Sequence, residues 1–163
     1  MRIVGSIVAA CAATLVLAAP AQAARGTYAG TITNTTGKIA LDVKISKAGF
    51  VKKVTEIRVT DVPSTCEISG QATVQHTFPA DLRVDQQTAR YGGTYTQPNA
   101  GNQSRIDGKI KRRKTKGTIQ IDYLYPPQGG VPEENCDTGL LAYKASLDNV
   151  DETVARPSAR LRY

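Results

Sequence analysis

Alternation of apolar and polar residues runs through most of this chain and restricts it to β-structure. The clearest segment is 38–46, in which apolar side chains occupy every second position from Ile39 to Ile45. A two-residue period places successive side chains on opposite faces of a strand. No stretch beyond residue 23 shows a sustained helical period, so any helix there would be short.

The alternation predicts about nine short strands separated by Gly- and Pro-rich turns, one of them running without a break from Cys66 to Phe78. Short strands at this spacing are typical of an antiparallel β-sandwich with one face of each strand buried. A closed lipocalin-like β-barrel is the alternative. We expect an all-β domain over residues 24–147, followed by a partly disordered tail over 148–163.

The first 23 residues have the features of a secretory signal peptide. Arg2 precedes an apolar run from Ile3 to Ala19, and Ala21-Gln22-Ala23 supplies small residues at the positions that signal peptidase reads. We expect cleavage after Ala23 and an extracellular protein, in solution or associated with the cell surface. An uncleaved membrane anchor is the alternative. No later segment is apolar enough to form a transmembrane helix.

Cleavage would leave two of the three cysteines. Cys11 departs with the signal peptide, so Cys66 and Cys136 can form only one pair. Outside the cytosol nothing keeps these thiols reduced, and we expect a disulfide between them. The mature chain would then offer no thiol as a nucleophile or as a metal ligand.

Three features of the strand pattern resemble a known group. They are a Gly-x-Tyr-x-Gly opening strand at 26–30, a mid-chain Cys66, and a Cys-x-Thr-Gly-x-x-x-Tyr-x-Ala closing strand at 136–145. The chain resembles uncharacterised small exported all-β proteins of high-GC actinobacteria. The resemblance implies the fold and the compartment, and it carries over no functional residue.

The strongest local feature is a run of cations at the join of two predicted strands. Its six members are Lys109, Lys111, Arg112, Arg113, Lys114 and Lys116. Such a hairpin tip would attract phosphate, carboxylate or sulfate groups. We therefore expect a monomeric, non-catalytic module that binds an anionic polymer or glycan of the cell envelope, without specific nucleic-acid recognition. The alternative is a solvated turn whose charges prevent edge-to-edge aggregation.

Tyrosine is the dominant aromatic residue, with seven copies and no tryptophan. Flat amphipathic rings suit both the apolar face and the hydroxyl groups of a sugar, although tyrosines at strand positions more often pack in the core. Sugar binding and core packing are therefore both open for five tyrosines: Tyr91, Tyr95, Tyr123, Tyr125 and Tyr143.

Groups suited to catalysis are few, and we predict that the protein is not an enzyme. The single histidine, His76, lies between Val74 and Phe78 on the apolar face of its strand, which favours a structural role. No Gly-x-Ser-x-Gly motif is present. One histidine and two paired cysteines do not match the usual zinc spacings, and we expect neither a metal site nor a cofactor.

Two other functions remain open. A barrel could carry a small apolar ligand in a cavity lined by Ile, Val and Tyr. Alternatively, a hydrolase could use surface carboxylates, which requires two of them to converge in a cleft. The acids on predicted outward faces are Glu56, Glu67, Asp107 and Asp122.

Overall fold

The computed structural model describes residues 24–98, 100–127, 129–130 and 132–150. The predicted signal peptide and residues 151–163 of the predicted tail lie outside the described residues. Residues 148–150, the first three of that tail, belong instead to the last strand. The described chain forms ten strands: β1 Ala24–Ile32, β2 Lys38–Ile45, β3 Val51–Cys66, β4 Gly70–Arg83, β5 Arg90–Thr96, β6 Gln103–Lys111, β7 Lys114–Gln120, β8 Asp122–Tyr125, β9 Glu134–Asp137 and β10 Leu141–Val150.

All ten strands belong to one antiparallel sheet, which confirms the all-β prediction. The strands follow the order β5-β6-β7-β10-β1-β2-β3-β9-β8, and β4 pairs with β3 beside this path. The sheet is open, because no ladder of hydrogen bonds joins β4 to β5 within the described chain. The closed-barrel alternative is therefore wrong. No helix in the described part of the chain is long and apolar enough to cross a membrane.

The strand predicted from Cys66 to Phe78 is wrong, because the chain turns over at 67–69. β3 ends at Cys66 and β4 begins at Gly70, where a φ of 79° suits a residue without Cβ. The alternation continues through the turn, so periodicity alone does not reveal it. Ile68, which occupies an apolar position of the pattern, is 58% exposed at the turn.

The sheet bends back on itself and encloses a core along one face of its strands. β3 changes register with β4 between Val59 and Val62, around Asp61 with a φ of 55°, and such irregularities bend a strand. As a result β4 approaches β5, and the Phe78 and Tyr95 ring centroids lie 5.4 Å apart. The apolar positions of segment 38–46 are all buried in this core, as the alternation predicts.

The predicted disulfide is present between Cys66 and Cys136. The two residues face each other on β3 and β9, with Cα atoms 4.0 Å apart and a sequence separation of 70 residues. The bond ties the short β8–β9 pair to the end of the longest strand.

Removing this bond should lower stability without changing the fold. Closing a loop of this length restricts the unfolded chain by about 4 kcal/mol in the chain-entropy model. We expect Cys66→Ser/Cys136→Ser to lose about that much free energy of unfolding, measured by urea titration. A reductant should destabilise the wild-type protein and leave the variant unchanged. Equal stability of variant and oxidised wild type would contradict the assignment.

Glu134 links β9 to the turn that the alternation conceals. Its Oε2 accepts hydrogen bonds from the backbone N–H groups of Ile68 and Ser69, at 2.7 and 2.9 Å. The residue is 2% exposed, and Oε1 has no hydrogen-bond partner among the described residues. Hydrogen bonds from Ser69, and then from Ile68, hold the pKa of the Glu134 carboxyl below its usual range despite burial.

This lowered pKa makes part of the stability depend on pH. The contribution of ionised Glu134 is complete above the pKa of the unfolded chain and is lost as pH falls through the native pKa. We expect Glu134→Gln to be less stable than wild type at pH 7, with a difference that narrows in acid. Urea midpoints of the two proteins across this range test the prediction, and a pH-independent difference would contradict it.

Candidate functional site

The basic run lies at the tip of a tight hairpin, as its position between two predicted strands indicates. β6 and β7 are joined by the two-residue turn Arg112-Arg113, flanked by the facing pair Lys111 and Lys114. Arg112 has a φ of 55°, a conformation that costs a residue with a side chain more than it costs glycine. All four side chains are exposed.

Two buried elements hold this tip in place. The hydroxyl of Tyr28 donates a hydrogen bond to the carbonyl of Arg112 at 3.1 Å, and the N–H of Leu147 donates to the carbonyl of Arg113 at 2.7 Å. Burial raises the pKa of Tyr28 to about 12, so its hydroxyl stays protonated as a donor at neutral pH. The backbone of the tip is therefore tied to both β1 and β10.

Strand register extends the basic run into a line across four strands. Arg90 on β5 faces Lys109 on β6, Lys109 faces Lys116 on β7, and Lys116 faces Lys144 on β10. We call these four residues the first cationic row. All four are exposed, and none forms an ion pair with any described residue. Neighbouring strands are about 4.8 Å apart, so the backbone positions of the row span roughly 14 Å.

Sequence reasoning found the two central members of this row and missed the two at its ends. Lys109 and Lys116 belong to one hairpin, whereas Arg90 and Lys144 join them only through the pairing of β5 with β6 and of β10 with β7. In the sequence, each of these two end residues is an isolated charge. An isolated charge does not indicate which strand will pair beside it.

The inner face beside the first cationic row carries a matching line of tyrosines and glycines. Tyr91 faces Gly108, Gly108 faces Gly117, and Gly117 faces Tyr143. The two tyrosine hydroxyls hydrogen-bond to each other over the glycines, and the Tyr91 hydroxyl also bonds the Thr115 hydroxyl at 2.8 Å. Burial raises the pKa of both tyrosines.

The glycines provide the space for this arrangement. A Cβ on Gly108 would lie 2.4 Å from the Tyr143 hydroxyl, which is too close for unbonded atoms. A Cβ on Gly117 would lie 1.9 Å from the backbone oxygen of Asp107, which has little freedom to move. The hydrogen bond between the Tyr91 and Tyr143 hydroxyls passes over the two glycines. It therefore holds β5, β6, β7 and β10 together on the inner face, opposite the first cationic row.

We expect Gly117→Ala to lower the free energy of unfolding by about 2–3 kcal/mol, because the added methyl group must displace backbone. Urea titration measures the change. Thr118→Ala, the next residue on the outer face of β7, is the matched control and should cost less than about 1 kcal/mol. A Gly117→Ala protein as stable as the control would show that the glycine pair is not tightly covered.

The five tyrosines singled out as a sugar-binding face lie in three separate places. Tyr91 and Tyr143 are buried in the core, as described above. Tyr95 is half-buried against Phe78 on β4. Tyr123 and Tyr125 are half-buried on β8, with ring centroids 6.2 Å apart.

His76 lies where the alternation places it, on the inner side of β4. Its ring centroid is 4.5 Å from that of Phe78 and 6.4 Å from that of Tyr95. Burial lowers the pKa of His76, which favours the neutral ring at pH 7. Among the described residues no carboxylate or hydroxyl hydrogen-bonds this ring.

The candidate carboxylates are divided among separate surroundings. Glu56 and the unpredicted Asp42 both bond the guanidinium of Arg58, at 2.6 and 2.9 Å to its Nη1. Both acids are therefore engaged by the same cation. Asp107 pairs with Arg105 on the exposed face of β6.

Glu67 and Asp122 both line an open pocket of about 490 Å³ near the disulfide. Asp122 accepts a hydrogen bond from Asn102 at 2.7 Å and faces Asp137 across β8 and β9. Glu134 lies on the buried side with Cys66 and Cys136, whose sulfur atoms are bonded to each other and offer no thiolate to a metal.

The alternative function, a carrier of a small apolar ligand, assumed a closed barrel, which the structure does not have. Polar and charged residues predominate in the lining of the acidic pocket near the disulfide and of a second groove on β1–β4. Neither matches the lining of Ile, Val and Tyr expected for an apolar ligand.

Comparison of the chain with protein-family models, curated proteins and solved structures found no match.

Proposed function

We propose that this protein is an exported, non-catalytic module that binds linear anionic polymers of the cell envelope through the first cationic row and the hairpin tip. The observation that carries the proposal is the alignment of Arg90, Lys109, Lys116 and Lys144 on adjacent strands, exposed and without ion-pair partners among the described residues.

Like charges on facing strand positions destabilise a sheet, so such a line is costly unless something neutralises it. A bound polyanion would do so. Each phosphate or sulfate that meets a cation releases condensed counterions, which makes binding favourable and sensitive to salt. A compact anion can contact only one or two positions of a line roughly 14 Å long, whereas an extended polymer can follow all of it.

The hairpin tip extends this surface beyond the row. Lys111 and Lys114 lie two residues from Lys109 and Lys116 on the same side of their strands. The tie from Tyr28 to the Arg112 carbonyl fixes the direction in which the tip projects. A preorganised surface loses less conformational entropy on binding than a flexible one.

Export is supported by the predicted signal peptide and by the Cys66–Cys136 disulfide, since such bonds persist in oxidising compartments. Polymers that carry phosphate or carboxylate groups are abundant ligands outside a bacterial cell. The proposal therefore places a cationic surface where its ligand occurs.

Binding to long-chain polyphosphate immobilised on a support tests the proposal. We expect Lys109→Ser/Lys116→Ser to bind about tenfold more weakly than wild type and to lower the salt slope by about 1.5, as two lost phosphate contacts predict. Lys47→Glu, which changes net charge by the same amount in the exposed β2–β3 turn, is the matched control and should bind as wild type.

Replacing Lys111, Arg112, Arg113 and Lys114 together by Ser should weaken retention by more than the tenfold expected for Lys109→Ser/Lys116→Ser, because four cations are removed instead of two. Inorganic phosphate at the same total phosphate concentration should not displace the protein, because it cannot bridge neighbouring cations. Wild-type affinity in Lys109→Ser/Lys116→Ser, or binding that is insensitive to salt, would contradict the proposal.

A further inference from the structure

A second line of cations crosses the other half of the sheet. Arg25 on β1 faces Lys44 on β2, Lys44 faces Lys53 on β3, and Lys53 faces Arg83 on β4. We call these four residues the second cationic row. They are far apart in the sequence and come together only through three successive antiparallel pairings.

Three members of the second cationic row line a groove of about 500 Å³ on the outer face of β1–β4: Arg25, Lys44 and Lys53. β3 contributes Thr55 as an extra residue opposite β2, where the register shifts between Asp42 and Val43. A bulge of this kind turns neighbouring side chains to the same face, and both Thr55 and Glu56 line the groove. The floor of the groove therefore offers the Thr55 hydroxyl beside the cations. It also holds Arg58 together with its two carboxylate partners, Asp42 and Glu56.

One carboxylate partly neutralises this row. Asp81 forms an exposed ion pair with Lys53. The hydrogen bond from Lys53, and then the charges of Lys53, Arg83 and Lys44, lower the pKa of Asp81. Arg25, Lys44 and Arg83 have no ion-pair partner within the described residues, so the row keeps an excess of positive charge.

The two rows lie on different strands and face different directions. On β1, the first cationic row is level with Thr31, which faces Lys144. The second cationic row begins at Arg25, six residues earlier and roughly 20 Å away along the strand. The sheet bends back until β4 approaches β5, so the outer faces of its two halves point away from each other. One short anion therefore cannot contact both rows.

We propose that the second cationic row is a second binding site for a linear anionic polymer, so that one protein molecule joins two polymer segments. The ligand class rests on the proposed function, whereas the site is separate and uses none of the same residues. Two sites on opposite faces convert a binding module into a cross-linker, because each polymer can hold many protein molecules and each protein molecule two polymers.

Light scattering from mixtures of the protein with soluble long-chain polyphosphate tests this proposal. The wild-type protein should scatter strongly at intermediate ratios and clear when either component is in excess or when salt is raised. Arg25→Ser/Lys44→Ser should keep its affinity for immobilised polyphosphate within about threefold and lose at least fivefold in scattering. Lys47→Glu lowers the net charge by the same amount as this double variant and should scatter as strongly as wild type.

Asp81→Asn provides a variant that gains function. Among the described residues, Asp81 is the only carboxylate that pairs with the row. Its removal frees Lys53, so the mixtures should stay turbid to a higher salt concentration than with wild type. Lower salt resistance in this variant would count against a site at the second cationic row. Circular dichroism of each variant confirms that the sheet is intact.

The outcomes separate the two proposals. A wild-type protein that does not bind polyphosphate overturns the proposed function. A protein that binds, but whose Arg25→Ser/Lys44→Ser variant scatters as strongly as wild type, overturns the second site alone. That second outcome is also expected if cross-linking arises from dimers, and the mass of the protein without polymer, measured by sedimentation, would then identify them.

Discussion

The hydroxyl pair of Tyr91 and Tyr143 is the contact on which the outer surface of this protein depends. It joins β5 to β10 over the backbone of the two strands between them, and Gly108 and Gly117 make room for it. The low dielectric of the core strengthens a hydrogen bond between buried hydroxyls and makes an unpaired hydroxyl costly. Burial raises the pKa of each tyrosine, which keeps both protonated over the whole physiological range.

This inner contact explains how the sheet tolerates repeated like charges on its outer face. Repulsion between facing lysines tends to push strands apart. Strands that are linked on the buried side, both by ladder hydrogen bonds and by tyrosine side chains, cannot separate to relieve it. The energetic cost is then retained in the folded state and becomes available to a ligand that neutralises the charges.

Much of the fold could be predicted from the sequence, because alternation is a local property. The apolar positions from Ile39 to Ile45 define β2 and its buried face without any knowledge of neighbours. The Cys66–Cys136 bond could be predicted because removal of the predicted signal peptide, which contains Cys11, would leave only these two cysteines. The turn at 67–69 could not be predicted, because the hydrophobic period passes through it unbroken.

The candidate sites were only partly predictable, because most of their residues come together through pairing between strands that are distant in the sequence. Lys109 and Lys116 can be paired from the sequence because a two-residue turn sets the register of their hairpin. Lys144 joins them through a strand that arrives late in the chain, and the second cationic row draws on four strands with three separate registers. Such registers are set by the packing of the whole core and are not encoded near the charges themselves.

On the proposed polymer ligand, the exposed cations would also affect how copies of the protein arrange themselves. Each molecule presents positive charge on both halves of its sheet, so two molecules that approach along one polymer repel each other before they touch. This repulsion extends over about 8 Å at physiological ionic strength. Protein molecules bound along one polymer would therefore keep a distance from each other, and this distance would decrease as the salt concentration rises.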